Sequence, residues 1–282
     1  STGIPWAIAI IDGDALAHPL TRVAIERGAH LRVGLEDQPT GPRNAELVAG
    51  DLPSQFPALR SLESVPNNLP VQLTSFVGRE RELAAVAALL RQTRLLTLAG
   101  TGGCGKTRLA LRFAHAQLAA FAGGVWFVDL APITDTERVT ATCAAVFGLR
   151  EEGETPLMTR LIDHLAARPT LLLLDNCEHV IDGVVALVEA VMAGAASTTV
   201  LATSREGLGL RGEQIYPVRS LSLPATQALQ AVADSESVRV FVDRARLVWP
   251  DFDVDAHNAA PIAEICRRLD GIALAIELAA AR

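Results

Sequence analysis

Between a short apolar run, Leu95-Leu96-Thr97-Leu98-Ala99, and an amphipathic segment from Thr107 to Leu118 lies Gly100-Thr101-Gly102-Gly103-Cys104-Gly105-Lys106-Thr107. The eight residues match GxxxxGK[ST], and their setting narrows the fold. A buried strand must end in a glycine loop that opens directly into a helix. Glycines let successive backbone N–H groups converge on an anion without interference from Cβ atoms. The helix N-terminus adds its partial positive charge at the same point. In such an arrangement Lys106 reaches the β- and γ-phosphates of a nucleotide, and the Thr107 hydroxyl is a ligand for Mg²⁺. The phosphate cradle is accordingly expected at Gly100, Thr101, Gly102, Gly103, Cys104, Gly105, Lys106, Thr107 and Arg108, with ATP or ADP as the ligand.

A loop of this kind implies a carboxylate for Mg²⁺ at the end of a neighbouring strand. Leu171-Leu172-Leu173-Leu174-Asp175 has the required form, four apolar residues followed by an acid. Thr107 and Asp175 are therefore the expected metal ligands. The next position, where a second carboxylate would activate water, is Asn176, which cannot accept a proton. Glu178 is the nearest alternative base, so hydrolysis is less firmly implied than binding. A third apolar run, Thr199 to Ala202, leads into Thr203-Ser204-Arg205, and Arg205 is placed to sense a γ-phosphate with its forked donors.

The basic residues single out the same loop. Of 25 basic residues 24 are Arg, and Lys106 is the one Lys. In a chain where Arg has replaced Lys elsewhere, the retained ammonium marks a site that needs a compact charge on a flexible stem. The 282 residues carry a formal charge of −7, which argues against nucleic acid or an anionic membrane as a direct partner of this surface. Half the residues are hydrophobic, which excludes disorder, and mean hydropathy is +0.28 without a run long enough to span a bilayer. The N-terminus has neither an initiator Met nor a basic region before an apolar one, so a secretory leader is not expected and a trimmed chain is. The four cysteines are scattered without CxxC spacing, consistent with reduced thiols and a cytoplasmic setting.

Apolar segments at 94–99, 125–130, 171–174 and 199–203, with 214–218 as a possible fifth, alternate with helical patterns at 80–92, 105–118, 135–147, 156–167 and 180–193. Alternation of this kind predicts an α/β fold, a parallel sheet with helices on both faces. Beyond Pro224 only helical patterns remain, at 235–248, 258–269 and 272–281, a small all-α appendage. Pro53, Pro57, Pro66 and Pro70 mark residues 51–74 as an extended linker. The resulting division is 1–50, a linker at 51–74, a P-loop nucleotide-binding domain at 75–223 and a helical subdomain at 224–282.

From about residue 66 onward the chain resembles the nucleotide-binding module of STAND signalling ATPases. The likeness is to the bacterial branch found in LuxR-type and winged-helix transcriptional regulators, related to the NB-ARC module. Beyond the loop and Asp175, Phe76-Val77-Gly78-Arg79-Glu80-Arg81-Glu82 resembles the family's hhGRExE element. The resemblance implies that Val77, Gly78 and Arg79 lie against adenine and ribose. Gly271-Ile272-Ala273-Leu274-Ala275 resembles its G-hydrophobic-P-L-A element, with Ala273 in place of the proline. As the resemblance has it, the module is a switch between ATP and ADP, with slow Mg²⁺-dependent hydrolysis as a timer and protein partners or self-association in the ATP state. Any DNA-binding part belongs outside these residues.

Residues 1–50 resemble something else. Gly28 to Asp37, followed by Asn44-Ala45-Glu46-Leu47-Val48, is similar to the C-terminal end of β-keto acid cleavage enzymes, zinc-dependent TIM barrels. The resemblance makes Glu36 a zinc ligand, Asp37 a catalytic carboxylate and Arg32 its partner. The chain has no His-x-His pair to complete a zinc site, and fifty residues supply only a fragment of a barrel. Three readings follow: a nucleotide switch, a metal-dependent carbon–carbon lyase in the N-terminal segment, and an interaction scaffold that has lost its nucleotide.

Overall fold

The computed structural model describes residues 7–8, 30–31, 65–151, 153–226 and 228–281. The chain divides into two units, Ser1–Leu59 and Arg60–Arg282. In the first, β1 (Ala7–Ile8) pairs in parallel with β2 (His30–Leu31). Arg32, Glu36 and Asp37, and with them the barrel fragment expected there, lie outside the described residues.

The second unit is built on five strands: β3 (Leu95–Ala99), β4 (Gly124–Asp129), β5 (Thr170–Asp175), β6 (Thr198–Ser204) and β7 (Gln214–Pro217). They form one sheet in the order β4-β5-β6-β3-β7, every pairing parallel. The helices alternating with them are α1 (Glu80–Leu90), α2 (Lys106–Ala116), α3 (Arg138–Val146), α4 (Leu157–Ala166) and α5 (Ile181–Gly194).

Successive strand residues point to opposite faces, and here both faces are covered. Leu172 and Leu174 pack with Val139, Leu161, Leu165, Val184, Leu187 and Val191 of α3, α4 and α5. Leu171 and Leu173 pack with Val86, Leu109, Ala110 and Phe113 of α1 and α2 on the other face. That double burial explains the unbroken apolar run before Asp175, because neither face leaves room for a polar side chain. Each of these leucines contributes about 1.5–3 kcal/mol by leaving water.

The stretch expected as linker contributes to the sheet edge. Asn67 forms a parallel bridge to Val125, and the Asn68 side chain donates to the Phe127 carbonyl at 2.8 Å while accepting the Phe127 N–H at 2.6 Å. Val65 and Leu69 are buried beside it. Two asparagines thus satisfy the exposed edge of β4 in place of a sixth strand, a role invisible in composition.

After β7 come four helices, α6 (Leu229–Asp234), α7 (Glu236–Ala245), α8 (Ala259–Arg268) and α9 (Ala273–Ala280). They enclose a third core of Val232, Val238, Phe241, Ile262, Cys266 and Ile276. Among the described residues no helix is long and apolar enough to cross a membrane.

Candidate functional site

The expected site residues gather at the carboxyl ends of β3, β5 and β6, where open parallel sheets take their ligands. The strand order matters here. β6 lies between the strand that carries the glycine loop and the strand that ends in Asp175. Thr203 of β6 donates its hydroxyl to Asp175 Oδ1 and accepts the Asn176 N–H at 3.0 Å. The next residue, Ser204, accepts the Gly100 N–H through its carbonyl at 3.3 Å. One strand thereby fixes both halves of the site.

Within the loop, Gly103 and Gly105 have φ of 76° and 96°, a region that side-chain-bearing residues seldom adopt. Lys106 is buried and donates to the carbonyls of Gly100 at 2.8 Å and Thr101 at 3.0 Å. Thr107 donates to Asp175 Oδ1 at 2.8 Å. A hydroxyl and a carboxylate so close suit Mg²⁺, which takes few protein oxygens and fills its shell with water and phosphate. No group of three or more His, Cys, Asp or Glu that would build an all-protein metal cage occurs among the described residues. Burial pushes the Asp175 carboxyl up, the Thr203 and Thr107 hydroxyls pull it down, and the charges of Asp129 and Glu178 add to the rise. The net result is a pKa above the usual value. A cation at this point would favour the ionised form.

The expected residues divide by position. Val77, Arg79, Gly102, Gly103, Gly105, Lys106, Thr107, Arg108, Asn176 and Glu178 line one cavity of about 240 Å³. Gly100, Thr101 and Cys104 stand behind it. Gly100 and Thr101 hold Lys106, and the buried Cys104 offers its carbonyl to Arg79 Nη2 at 2.6 Å. Gly78 supports Arg79, whose backbone N–H donates to Glu236 Oε1 at 2.9 Å. Arg79 is itself buried in the left-handed region, φ 63°, and its Nη1 has no partner although sealed from solvent. That leaves a buried donor in the cavity wall, the kind of group a ligand acceptor satisfies.

Arg205 sits apart. Its side chain is 72% exposed and meets Glu178, with Nε 3.3 Å from Oε1. The two flank an adjoining groove with Asn176, His179 and Glu206. Glu178 Oε2 is buried without a partner. Cys177 and Cys143 are fully buried and their thiols are pushed up by desolvation, Cys143 to about 12, so neither is a nucleophile.

Several lining residues come from the helical lobe, where the sequence had marked only the element containing Ala273 and Leu274. Leu221, Val240, Ala273 and Leu274 supply an apolar wall from the helical lobe, and Arg244 and Glu277 supply charge. The Ala273 element lies directly on the loop, where the Leu274 N–H donates to the Gly103 carbonyl at 3.1 Å. Helix α9 begins at Ala273 without the expected proline, and one of its first N–H groups, that of Leu274, finds its partner on the loop.

A parallel sheet with a lysine-bearing glycine loop after one strand and a buried aspartate at the end of another defines a P-loop ATPase-like α/β fold. No family model matches the chain. A provisionally named HTH-type transcriptional regulator of Mycobacterium tuberculosis is 47% identical over 195 residues, covering 69% of this chain and 21% of the regulator. A second M. tuberculosis protein, called uncharacterized, is 41% identical over 219 residues, 78% of this chain and 53% of its own length. The regulatory protein AfsR of Streptomyces coelicolor is 32% identical over 180 residues, 55% of this chain and 17% of AfsR. The chain therefore spans between about a sixth and a half of the curated relatives it matches. Among solved structures, a Walker-type ATPase of Pyrococcus abyssi is similar with a TM-score of 0.49 at 13% identity, over 76% of this chain and 70% of that one. A STAND protein with a tetratricopeptide repeat sensor from Pyrococcus horikoshii has a TM-score of 0.45 at 16% identity, over 72% and 29%.

Proposed function

We propose that residues 65–281 are a STAND-type ATP/ADP switch module of a transcriptional regulator. The observation that carries this reading is the cavity itself. One wall is the glycine loop with Lys106 and Thr107, and the other is the helical lobe through Val240, Ala273, Leu274 and Glu277. A ligand held there touches both lobes, so its presence and its phosphate count bear on how they sit together. Mg²⁺ would be held by Thr107 and Asp175 and would supply charge neutralisation at the β- and γ-phosphate oxygens. Lys106 would leave the Gly100 and Thr101 carbonyls for the phosphates. The adenine and ribose would meet Val77 and Arg79, with Arg79 Nη1 as a free donor, and Leu221 and Val240 as apolar surface.

Hydrolysis, in this reading, depends on Glu178 as the base, since Asn176 cannot serve, and on Arg205 at the γ-phosphate. The ion pair engages Glu178 Oε1 and Arg205 Nε and leaves Glu178 Oε2 without a partner. Similarity to mycobacterial and streptomycete regulators supports a role in transcription. Contact with DNA would fall to other parts of such a protein, and protein partners or self-association would read the ATP state.

Calorimetric titration of ATP and ADP, with and without Mg²⁺, into the wild type and Lys106→Ala tests the core of the proposal. Micromolar binding that Lys106→Ala abolishes is expected. Absence of binding to the wild type up to millimolar nucleotide overturns it.

A further inference from the structure

One side chain closes the turn between β6 and β7. Glu213 Oε1 accepts the Leu208 N–H at 2.8 Å, and its Oε2 accepts the Gly209 N–H at 2.8 Å and the Leu210 N–H at 3.3 Å. The Glu213 N–H returns to the Leu210 carbonyl at 3.2 Å, so the carboxylate sits in a nest of three successive amides. Gly209 and Gly212 have φ of 77° and 79°, and a Cβ added at either would meet nothing within 4 Å. Packing at those positions therefore does not hold the turn. Its anchors are Leu208, buried in the core, Leu210, partly packed beside it, and the Glu213 carboxylate.

The backbone pinned in this way carries Arg205. Ser204, the last residue of β6, accepts the Gly100 N–H through its carbonyl and the Glu206 N–H through its hydroxyl at 3.4 Å. Four residues on, Leu208 is fixed by Glu213. Arg205 to Gly207 span the interval, and Gly207 is pressed onto β7, where an added Cβ would come within 2.4 Å of Ile215 Cδ1. The arginine's own side chain does not supply this order. It is 72% exposed, and it meets Glu178 through Nε alone at 3.3 Å. An exposed pair of that kind is too weak to fix a long side chain. Because Nε makes the contact, the two terminal nitrogens remain for a phosphate oxygen.

We infer that Glu213 is a positioning residue for Arg205, setting the aim of the guanidinium by closing the backbone behind it. This rests on the γ-phosphate role proposed for Arg205 above and deepens it. Glu213 lines neither the cavity nor the adjoining groove, so it acts through the loop and not on the ligand. The nest calls for a carboxylate: three N–H groups converge on two oxygens, and only an ionised acid offers acceptors on both. A glutamine there would turn its NH₂ against a donor.

Calorimetric titration of Mg²⁺-ATP and Mg²⁺-ADP into the full chain, Arg205→Ala, Glu213→Ala and the double variant tests this, alongside hydrogen exchange on peptides covering 205–213. Arg205→Ala is expected to lower the preference for ATP over ADP about tenfold, as loss of one charge-assisted hydrogen bond would. Glu213→Ala is expected to lower it about threefold or more with ADP affinity unchanged, and to add nothing in the Arg205→Ala background. Exchange of the 208–210 amides is expected to quicken about tenfold in Glu213→Ala and to keep its wild-type rate in Arg205→Ala. Formate, a carboxylate small enough to enter the emptied nest, is expected to restore both measurements in Glu213→Ala, whereas chloride at the same ionic strength restores neither. Should Glu213→Ala lose its folded circular dichroism, Glu213→Gln keeps the length of the side chain and must show the same lowered preference and faster exchange. A wild-type ATP preference in the Glu213 variant overturns the inference and leaves Glu213 as a loop staple. So does a loss that adds in full to that of Arg205→Ala. If Arg205→Ala itself keeps the wild-type preference, the sensing role of Arg205 fails first and the inference falls with it. A wild type that binds neither nucleotide overturns the whole reading, a result distinct from failure of Glu213 alone.

Discussion

The hydroxyl of Thr107 lies 2.8 Å from Asp175 Oδ1, joining the first turn of α2 to the end of β5. Asp175 receives two further donors, the Thr203 hydroxyl and the Asn176 side-chain amide at 3.1 Å. Removing one donor therefore weakens the fold little but removes a metal ligand. Thr107→Val is expected to lower stability by about 1 kcal/mol in urea denaturation. The same variant is expected to lose any enhancement of nucleotide binding by Mg²⁺. Retained enhancement would show that Thr107 has only a structural role.

Gly78 is expected to resist substitution. Its φ is +72°, and an added Cβ would come within 2.8 Å of Glu236 Oε1, the atom that accepts the Arg79 N–H. Gly78→Ala combines a disfavoured backbone with displacement of that carboxylate. A loss on the order of 1–2 kcal/mol is expected from the backbone alone. Denaturant midpoints check it, and a midpoint equal to the wild type would mean the segment relaxes freely.

Glu236 gives the fold an acid sensitivity. Burial alone would raise its pKa, but the N–H groups of Ser222 and Arg79, the Ser222 hydroxyl and the Arg79 charge outweigh burial and hold it below its ordinary 4.5. A carboxyl depressed in the folded state contributes stability that is present above the unfolded pKa and is lost as pH falls through the folded value. Stability should therefore drop as pH is lowered from 4.5, and Glu236→Gln should flatten that drop. Thermal midpoints of both proteins between pH 3 and 6 report the difference, and parallel curves would remove Glu236 from the account.

Glu178→Gln addresses turnover. If Glu178 serves as the base, the variant is expected to bind ATP within about twofold of the wild type while phosphate release falls at least about a hundredfold. Equal release rates would leave Glu178 as the ion-pair partner of Arg205.

Much of this architecture was legible because double-sided burial and helical periodicity leave strong local patterns. The run ending in Asp175 became β5 with every residue buried, and the 214–218 segment became β7. That Lys106, Thr107 and Asp175 would come together was legible for another reason: a phosphate loop and its metal carboxylate call for fixed residue types next to fixed elements. Strand order was not legible, since nothing local in Thr198–Ser204 says that it separates β3 from β5. The pairing of Arg108 with Glu277 was hidden for the same reason. Arg108 and Glu277 stand 169 positions apart, and a charge gives no periodicity from which to infer its partner. Asn67 and Asn68 fall in the stretch that its prolines mark as linker, and their capping of β4 exists only in the folded edge.

Thr203 and Ser204 hold the acid side and the loop side of the site from adjacent positions of β6. Thr203 grips through its side chain, which stands off the face of the sheet, and Ser204 through its backbone carbonyl, which lies in the sheet plane, so one strand register sets both contacts. A one-residue slip of β6 would turn the Thr203 side chain to the other face and shift the Ser204 carbonyl along the ladder, so both grips would be disturbed together. The central strand thus works as a gauge block: the distance between the glycine loop and Asp175 is set by the two interstrand spacings on either side of β6.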